Sequence, residues 1–399
     1  MEVLPAGAVG EGVPVTRQIR PRILIVGAFP PPGREIFGGA VTSCRVHLES
    51  SLPKRADLIL LDSTQISNPP PAFAVRLLLA GRRFLAYLVQ FERKRPDAVL
   101  LFVAAGASVV EKGAMGWYAR FRGVPALMSL RGGPVMDASN KSRLMRAWVR
   151  FALRGARTIL CQGRAWQRFA VDVLGFQAEH APIVPNWTAT PALLAIGRNR
   201  RNATADRPVR LLFLGWVDRE KGVFELIEAL RQLAESNRFE LDMVGEGNAG
   251  DAARNLVAKI GLGSRVRFSG WLKGPELERA LTEADVLVLP SWSEGLPNSM
   301  IEAMAARLAI VVSAVGNIPD VVTDGCEAVL VPPRDVAALK TGLKRVIDDP
   351  NFRRRLGDAA FALAEREFSV EPAVDRILMA TDNTIRQFGG HRRRQGVGA

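Results

Sequence analysis

Cysteine is scarce in this chain of 399 residues: there are three, Cys44, Cys161 and Cys326, with no CxxC spacing. That argues against a disulfide framework and a zinc site. A reducing compartment, the cytoplasm, is expected. Long apolar runs are missing too. No window of about 18 purely apolar residues occurs, so no membrane-spanning helix is predicted. The opening stretch, MEVLPAGAVGEGVPVTRQIR, lacks a basic region followed by an apolar core. It is expected to be a flexible lead-in, not a secretory signal. Acidic residues are short in one half only. Residues 1–200 carry 27 Lys and Arg against 12 Asp and Glu, and residues 201–399 carry 27 against 28. The net charge of +14 therefore sits in the first half. One domain is expected to meet an anionic surface or substrate. No aromatic-interleaved basic motif accompanies the charge, so nucleic acid is not an expected partner.

What is present is a pair of matching halves. Hydrophobic residues make up 48% of the chain, enough for two packed domains. The first half holds short apolar runs at Arg22–Gly27, Asp57–Leu61, Asp97–Phe102, Val124–Leu130, Arg157–Cys161 and Ala181–Val184. The second holds Val209–Gly215, Glu240–Gly245, Arg265–Gly270, Asp285–Pro290, Leu308–Ser313 and Ala328–Val331. Continuous Val/Ile/Leu runs predict strands buried on both faces. Alternating with helices, they predict α/β architecture: two doubly wound Rossmann-like domains facing a central cleft. The expected divisions are a flexible 1–20, a first Rossmann-like domain 21–197, a linker 198–208 and a second Rossmann-like domain 209–370. A helix over 371–388 is expected to pack back on the first domain, before a disordered basic tail, 389–399.

The segment Ser291–Ala306, SWSEGLPNSMIEAMAA, follows a predicted strand end. Pro297, Asn298 and Ser299 fall in the first turn of a predicted helix, where proline and small polar residues are favoured. A helix start offers unpaired N–H donors and partial positive charge, which suit a diphosphate. Glu294 lies in the loop and Glu302 about one turn into the helix. One carboxylate can face a sugar while the other meets ribose hydroxyls.

Seven residues separate Glu294 from Glu302. The pattern resembles the EX7E motif of retaining GT-B glycosyltransferases, the large family 4 group. Flanking segments match in order. Leu212–Leu230 resembles the family's phosphate-binding strand–loop–helix, Met243–Gly250 its VGxGP turn and Val266–Trp271 its FxG strand end. Ala314–Val322 is similar to its GGIPE segment and Val184–Trp187 to its VPNG segment. Glu302 alone would read as an exposed helix residue, and Lys221 alone as a surface lysine. Six ordered matches favour function.

The resemblance implies a role for each matched residue. Lys221 contacts the donor diphosphate as a point charge that stabilises the leaving group. Gly38 and Gly39 form the glycine-rich loop of the first domain, where the backbone approaches substrate closely. Gly215 and Gly245 end donor-side strands. Glu294 binds the donor sugar, Leu296, Asn298 and Ser299 offer backbone or side-chain donors to the phosphates, and Glu302 binds ribose; the first domain, 21–197, then binds the acceptor and the second, 209–370, the nucleotide sugar. Two positions depart from the pattern. Trp216 stands where the family often has a second cation, and Arg131 is the candidate substitute. Arg307 stands where relatives usually have glycine, at a helix end that favours a cation. His47 is expected to be a partly buried helix residue. The implied reaction moves a sugar, with retention, from a nucleotide diphosphate sugar to an acceptor hydroxyl. No metal or other cofactor is expected. A non-catalytic sugar-binding protein and a GT-B-fold epimerase remain alternative readings.

A predicted helix over Ser139–Leu153 places Arg143, Arg146, Arg150 and Arg154 on one face. Leu144, Trp148 and Phe151 form an adjacent stripe. A second, Pro71–Lys94, mixes Arg76, Arg82 and Arg83 with apolar residues. Basic amphipathic helices suit an anionic membrane leaflet. The expected setting is the inner face of the cytoplasmic membrane. The expected acceptor is a lipid-linked or polysaccharide glycan of cell-surface or exopolysaccharide synthesis.

Overall fold

The computed structural model describes residues 20–31, 36, 38–64, 71–104, 106–131, 135–136, 139, 142–200 and 207–395. Residues 1–19 of the expected lead-in and 201–206 of the expected linker lie outside the described residues. Two parallel sheets form. The first has five strands: β1 (Arg22–Gly27), β2 (Asp57–Asp62), β3 (Ala98–Val103), β4 (Ala126–Leu130) and β5 (Thr158–Leu160), in the order β2-β1-β3-β4-β5. The second has six: β6 (Val209–Leu214), β7 (Phe239–Val244), β8 (Val266–Gly270), β9 (Val286–Leu289), β10 (Ala309–Ser313) and β11 (Val329–Val331), in the order β11-β10-β9-β6-β7-β8.

Side chains alternate across each strand, and both sides are covered. In β1, Leu24 and Val26 pack into one apolar cluster while Ile23 and Ile25 pack into another. In β3, Val99 and Leu101 join the first cluster, and Ala98 and Leu100 the second. Each such side chain contributes about 1.5–3 kcal/mol by leaving water. That is why these strands read as unbroken apolar runs. The edge strand β2 is only half covered.

One predicted strand is absent. Ala181–Val184 makes a single parallel bridge, Cys161 to Ile183. Pro182 has no N–H to donate and does not extend a ladder. The chain also changes domain earlier than expected. Trp187 packs in the first domain's core, and Ala189 already packs in the second's. Helix Pro191–Asn199 sits on the second domain through Leu193 and Leu194, so residues 198–199 are helix and not linker. The return crossing lies beside the outward one, with Ala189 N donating to Phe368 O at 3.3 Å. Helix Val370–Gln395 then packs Val374 and Ile377 against Ile23, Ile25 and Leu100. It runs past the expected end at Phe388, so 389–395 is helical and not a disordered tail. Once a helix is nucleated by packing, each further residue adds a bond at little cost. Residues 396–399 lie outside the described residues. No helix among the described residues is long and apolar enough to cross a membrane.

Candidate functional site

β9 ends at Leu289, and the chain turns into helix Asn298–Ala305. Pro297 precedes it at φ −71°, which its ring imposes. The first N–H groups of this helix have no helical acceptor. With the helix dipole they make an anion-binding end at the carboxyl edge of the sheet. Ser299 stands in this first turn.

Lys221 ends a short turn, Arg219–Lys221, and Gly222 follows at φ 71°. A Cβ on Gly222 would lie 2.0 Å from Pro290 O, so only glycine permits this approach. The turn is thereby pressed against the start of the Glu294 loop. Lys221 Nζ donates to Glu294 Oε1 at 2.6 Å. The two side chains are 28% and 13% exposed. A second segment braces the same loop. A Cβ on Gly316, at φ 58°, would lie 2.0 Å from Glu294 O, and Asn317 N donates to Gly295 O at 2.9 Å.

Glu302 is 7% exposed on the inner face of its helix. Burial pushes its carboxyl up to about 7, with the charge of Arg45 acting in the opposite direction. Arg45 belongs to helix Gly39–Glu49 of the first domain. Gly215 and Gly245 lie side by side just beyond β6 and β7. Gly215 N donates to Val244 O at 3.0 Å and Gly245 N to Gly270 O at 2.8 Å. Trp216 packs edge-on against Trp271, with ring centres 4.9 Å apart. Its Nε1 lies 3.6 Å from the Cβ position of Gly38. An aromatic wall, not a second cation, therefore faces the glycine-rich loop at this point.

β4 delivers Arg131 at its carboxyl end. The guanidinium lies 3.9 Å above the Trp187 ring, its Nε donates to Ser129 Oγ at 3.1 Å, and its Nη1 donates to Asn186 Oδ1. Burial lowers its pKa to about 9, and at neutral pH it stays charged. Its Nη2 is buried without a partner. His47 stacks on the same indole at 3.9 Å. It is fully buried, not partly as expected, because the Trp187 and Phe102 rings cover it. Burial first, and then the charge of Arg131, hold its pKa well below the usual histidine value.

Asn186, within the Val184–Trp187 segment, joins these groups. Its Oδ1 accepts from Arg131 and from Gln162 Nε2 at 2.6 Å. Its Nδ2 donates to Leu296 O and to Asn298 Oδ1, each at 2.7 Å. Asn298 Nδ2 in turn donates to Gly39 O at 2.7 Å and Ser43 Oγ at 2.9 Å. Of the backbone and side-chain donors expected of Asn298, the side-chain amide is spent on the first domain at both ends, which leaves its backbone N–H. All of Asn186's hydrogen-bonding capacity is filled. Arg131 can only donate and the Leu296 carbonyl only accept, so the amide has one orientation. No signal in a lone Asn within VPNW distinguishes this role from a turn residue.

Arg307 sits at φ 62° after helix Asn298–Ala305, and its Nε donates to Asp358 Oδ1 at 2.6 Å. The basic helix runs Arg143–Leu153, with Ser142 Oγ accepting from Met145 N at 3.4 Å. It thus begins after Ser139, because Ser142 caps it. Arg143, Arg146, Arg150 and Arg154 are exposed, and so are Leu144, Trp148 and Phe151. This helix packs on helix Ala107–Phe121 within the first domain, where Trp117 Nε1 donates to Phe151 O at 2.9 Å. The second predicted basic helix runs Phe73–Lys94. Its Arg83 is withdrawn from any basic face by two bonds to Glu111, at 2.7 and 3.0 Å.

Comparison with known proteins bears on this geometry. The family model for glycosyl transferases group 1 matches residues 198–362, and that for the glycosyl transferase 4-like domain matches 15–187. The MMP alpha-(1->4)-mannosyltransferase of Mycolicibacterium hassiacum is 36% identical over 189 residues, 47% of this chain and 44% of that protein. The chain spans about half the length of the curated relatives it matches. Among solved structures, the sucrose-phosphate synthase of Thermosynechococcus elongatus superposes with a TM-score of 0.71 at 19% identity, over 95% of this chain and 100% of that one. HepE of Anabaena, solved with UDP and glucose, superposes with a TM-score of 0.67 at 17% identity, over 91% and 100%.

Proposed function

The chain belongs to the glycosyl transferases group 1 family, and from that premise we propose that it is a retaining GT-B glycosyltransferase. It moves a sugar from a nucleoside diphosphate sugar to an acceptor hydroxyl. The bond from the anomeric carbon to the diphosphate oxygen breaks, and the acceptor oxygen takes its place on the same face. The acceptor proton leaves with the departing nucleotide.

The observation that carries this reading is the Lys221–Glu294 contact, 2.6 Å long, beside an open helix start. Lys221 and the helix N–H groups stabilise the departing diphosphate, the largest charge that develops in the reaction. Glu294 accepts hydroxyls of the donor sugar, and Glu302 those of ribose. Arg131 supplies the second positive charge from the first domain, through the Asn186 bridge to the phosphate-binding loop. Charge stabilisation by these groups supports a reaction that requires no metal. A solved relative in fold that holds UDP and glucose supports a nucleotide-sugar donor.

The acceptor is a lipid-linked or polysaccharide glycan, used in cell-surface or exopolysaccharide synthesis. The enzyme works peripherally at the inner face of the cytoplasmic membrane. The exposed basic and apolar residues of helix Arg143–Leu153 support that placement. A panel of nucleotide sugars tests the donor reading. One or more should raise the thermal midpoint and release nucleoside diphosphate. Stabilisation without any release would make the chain a binding protein, and an epimerised donor would make it an epimerase.

A further inference from the structure

A cavity of about 630 Å³ opens on the first domain, lined by Trp117, Arg120, Arg154, Arg157, Phe176 and His180 among others. It lies where helix Ala107–Phe121 ends and β5 begins, at the amino edge of the sheet. The proposed transfer site sits at the carboxyl edge and uses none of these residues. Three arginines, Arg120, Arg154 and Arg157, line it. Arg157 Nε is buried without a partner. His180 is 5% exposed and its Nε2 is also buried without a hydrogen bond. The carboxylate of Glu179, mostly exposed, holds an oxygen 3.5 Å from that nitrogen. An unpaired buried guanidinium N–H is costly, at roughly 1–3 kcal/mol, and an anion would satisfy it.

The cavity wall continues into the exposed apolar stripe. Trp117 stacks on Phe151, with ring centres 5.4 Å apart, and Phe151 is 64% exposed. Arg120 lies over the Trp117 ring and donates to Arg154 O at 3.1 Å. Arginine side chains and exposed apolar side chains thus adjoin.

We propose that this cavity binds the phosphate of an anionic lipid headgroup while Leu144, Trp148 and Phe151 enter the acyl boundary. The inference rests on the peripheral-membrane reading and makes it local: it names one pocket instead of a diffuse charge. A free phosphate has the same chemistry, but it would leave the adjoining apolar residues without an occupant.

Vesicle flotation tests this with the full chain. Neutral phosphatidylcholine vesicles are compared with vesicles that also contain phosphatidylglycerol. The wild type should float with the anionic vesicles. Arg157→Gln should weaken that binding about fivefold or more, and Arg143→Gln, a change of equal charge that does not line the cavity, should weaken it less. Circular dichroism and thermal midpoints show that both variants fold. Equal losses in the two variants would overturn the pocket in favour of diffuse attraction. Loss of wild-type flotation in millimolar inorganic phosphate at constant ionic strength, with no effect from chloride, supports a phosphate pocket. Stabilisation by inorganic phosphate with no flotation on anionic vesicles would overturn the lipid assignment. Nucleotide-sugar turnover by the wild type reports separately on the transferase reading.

Discussion

Lys221 Nζ lies 2.6 Å from Glu294 Oε1, so the cation assigned to the diphosphate is held by the carboxylate assigned to the sugar. On the proposed assignment, donor binding must divide this pair. Glu294→Gln frees the lysine. Affinity for a nucleoside diphosphate alone should be kept or rise, and the added affinity from the sugar should vanish. Turnover should fall about 10²–10³-fold, the scale of losing one transition-state hydrogen-bonding group. Calorimetry with nucleotide and nucleotide sugar checks this. Equal losses for both ligands would contradict the assigned division.

Glu302 carries a pH signature. Its carboxyl titrates near 4.5 when unfolded and about 7 in the fold, because burial disfavours the charge. A raised acid contributes its full stability below pH 4.5 and loses it as the pH rises through 7. At pH 8 the penalty is about 3 kcal/mol. Glu302→Gln should therefore gain stability of that order at pH 8 and almost none at pH 4, read by urea denaturation. The same variant should bind nucleotide more weakly. No difference between the two pH values would rule out the buried charge.

The Asn298 amide ties helix Asn298–Ala305 to the opposite domain. Asn298→Asp sets a carboxylate oxygen against the Gly39 carbonyl in place of a donor. The cost should be about 1–3 kcal/mol, larger than for Asn298→Ala, which leaves no charge behind. A double cycle with Asn186→Ala should show coupling, since the two side chains share a bond at 2.7 Å. Additive losses would show that the bridge is not formed in solution.

Gly316→Ala adds a methyl where Glu294 O lies 2.0 Å away, at φ 58°. The loop that carries Glu294 must shift. Turnover should fall at least tenfold, since small misplacements of a positioning group cost that much or more. Gly325→Ala is the control. Gly325 also has positive φ, 73°, but nothing lies within 4 Å of its Cβ position. A larger loss of turnover in that variant would contradict the bracing role.

The sheets were legible because their strands are buried on both faces, as Ile23–Val26 shows. The Glu294 loop and Lys221 were legible because a strand end, a glycine turn and a helix start leave marks in short sequence. The domain crossing was not, since Trp187 and Ala189 differ only in which core receives them. Nor was the Asn186–Asn298 bridge, which joins residues 112 apart in sequence. Burial of His47 depends on Trp187, 140 positions further along the chain and in the same domain. Contacts between residues so far apart in sequence leave no local pattern to read.

Release of nucleoside diphosphate from the nucleotide sugar that stabilises the chain, compared between wild type and Lys221→Ala, tests the central claim most directly. The account predicts turnover by the wild type and a loss of several orders of magnitude in the variant, with the fold unchanged by circular dichroism. Near-normal release by Lys221→Ala would contradict it.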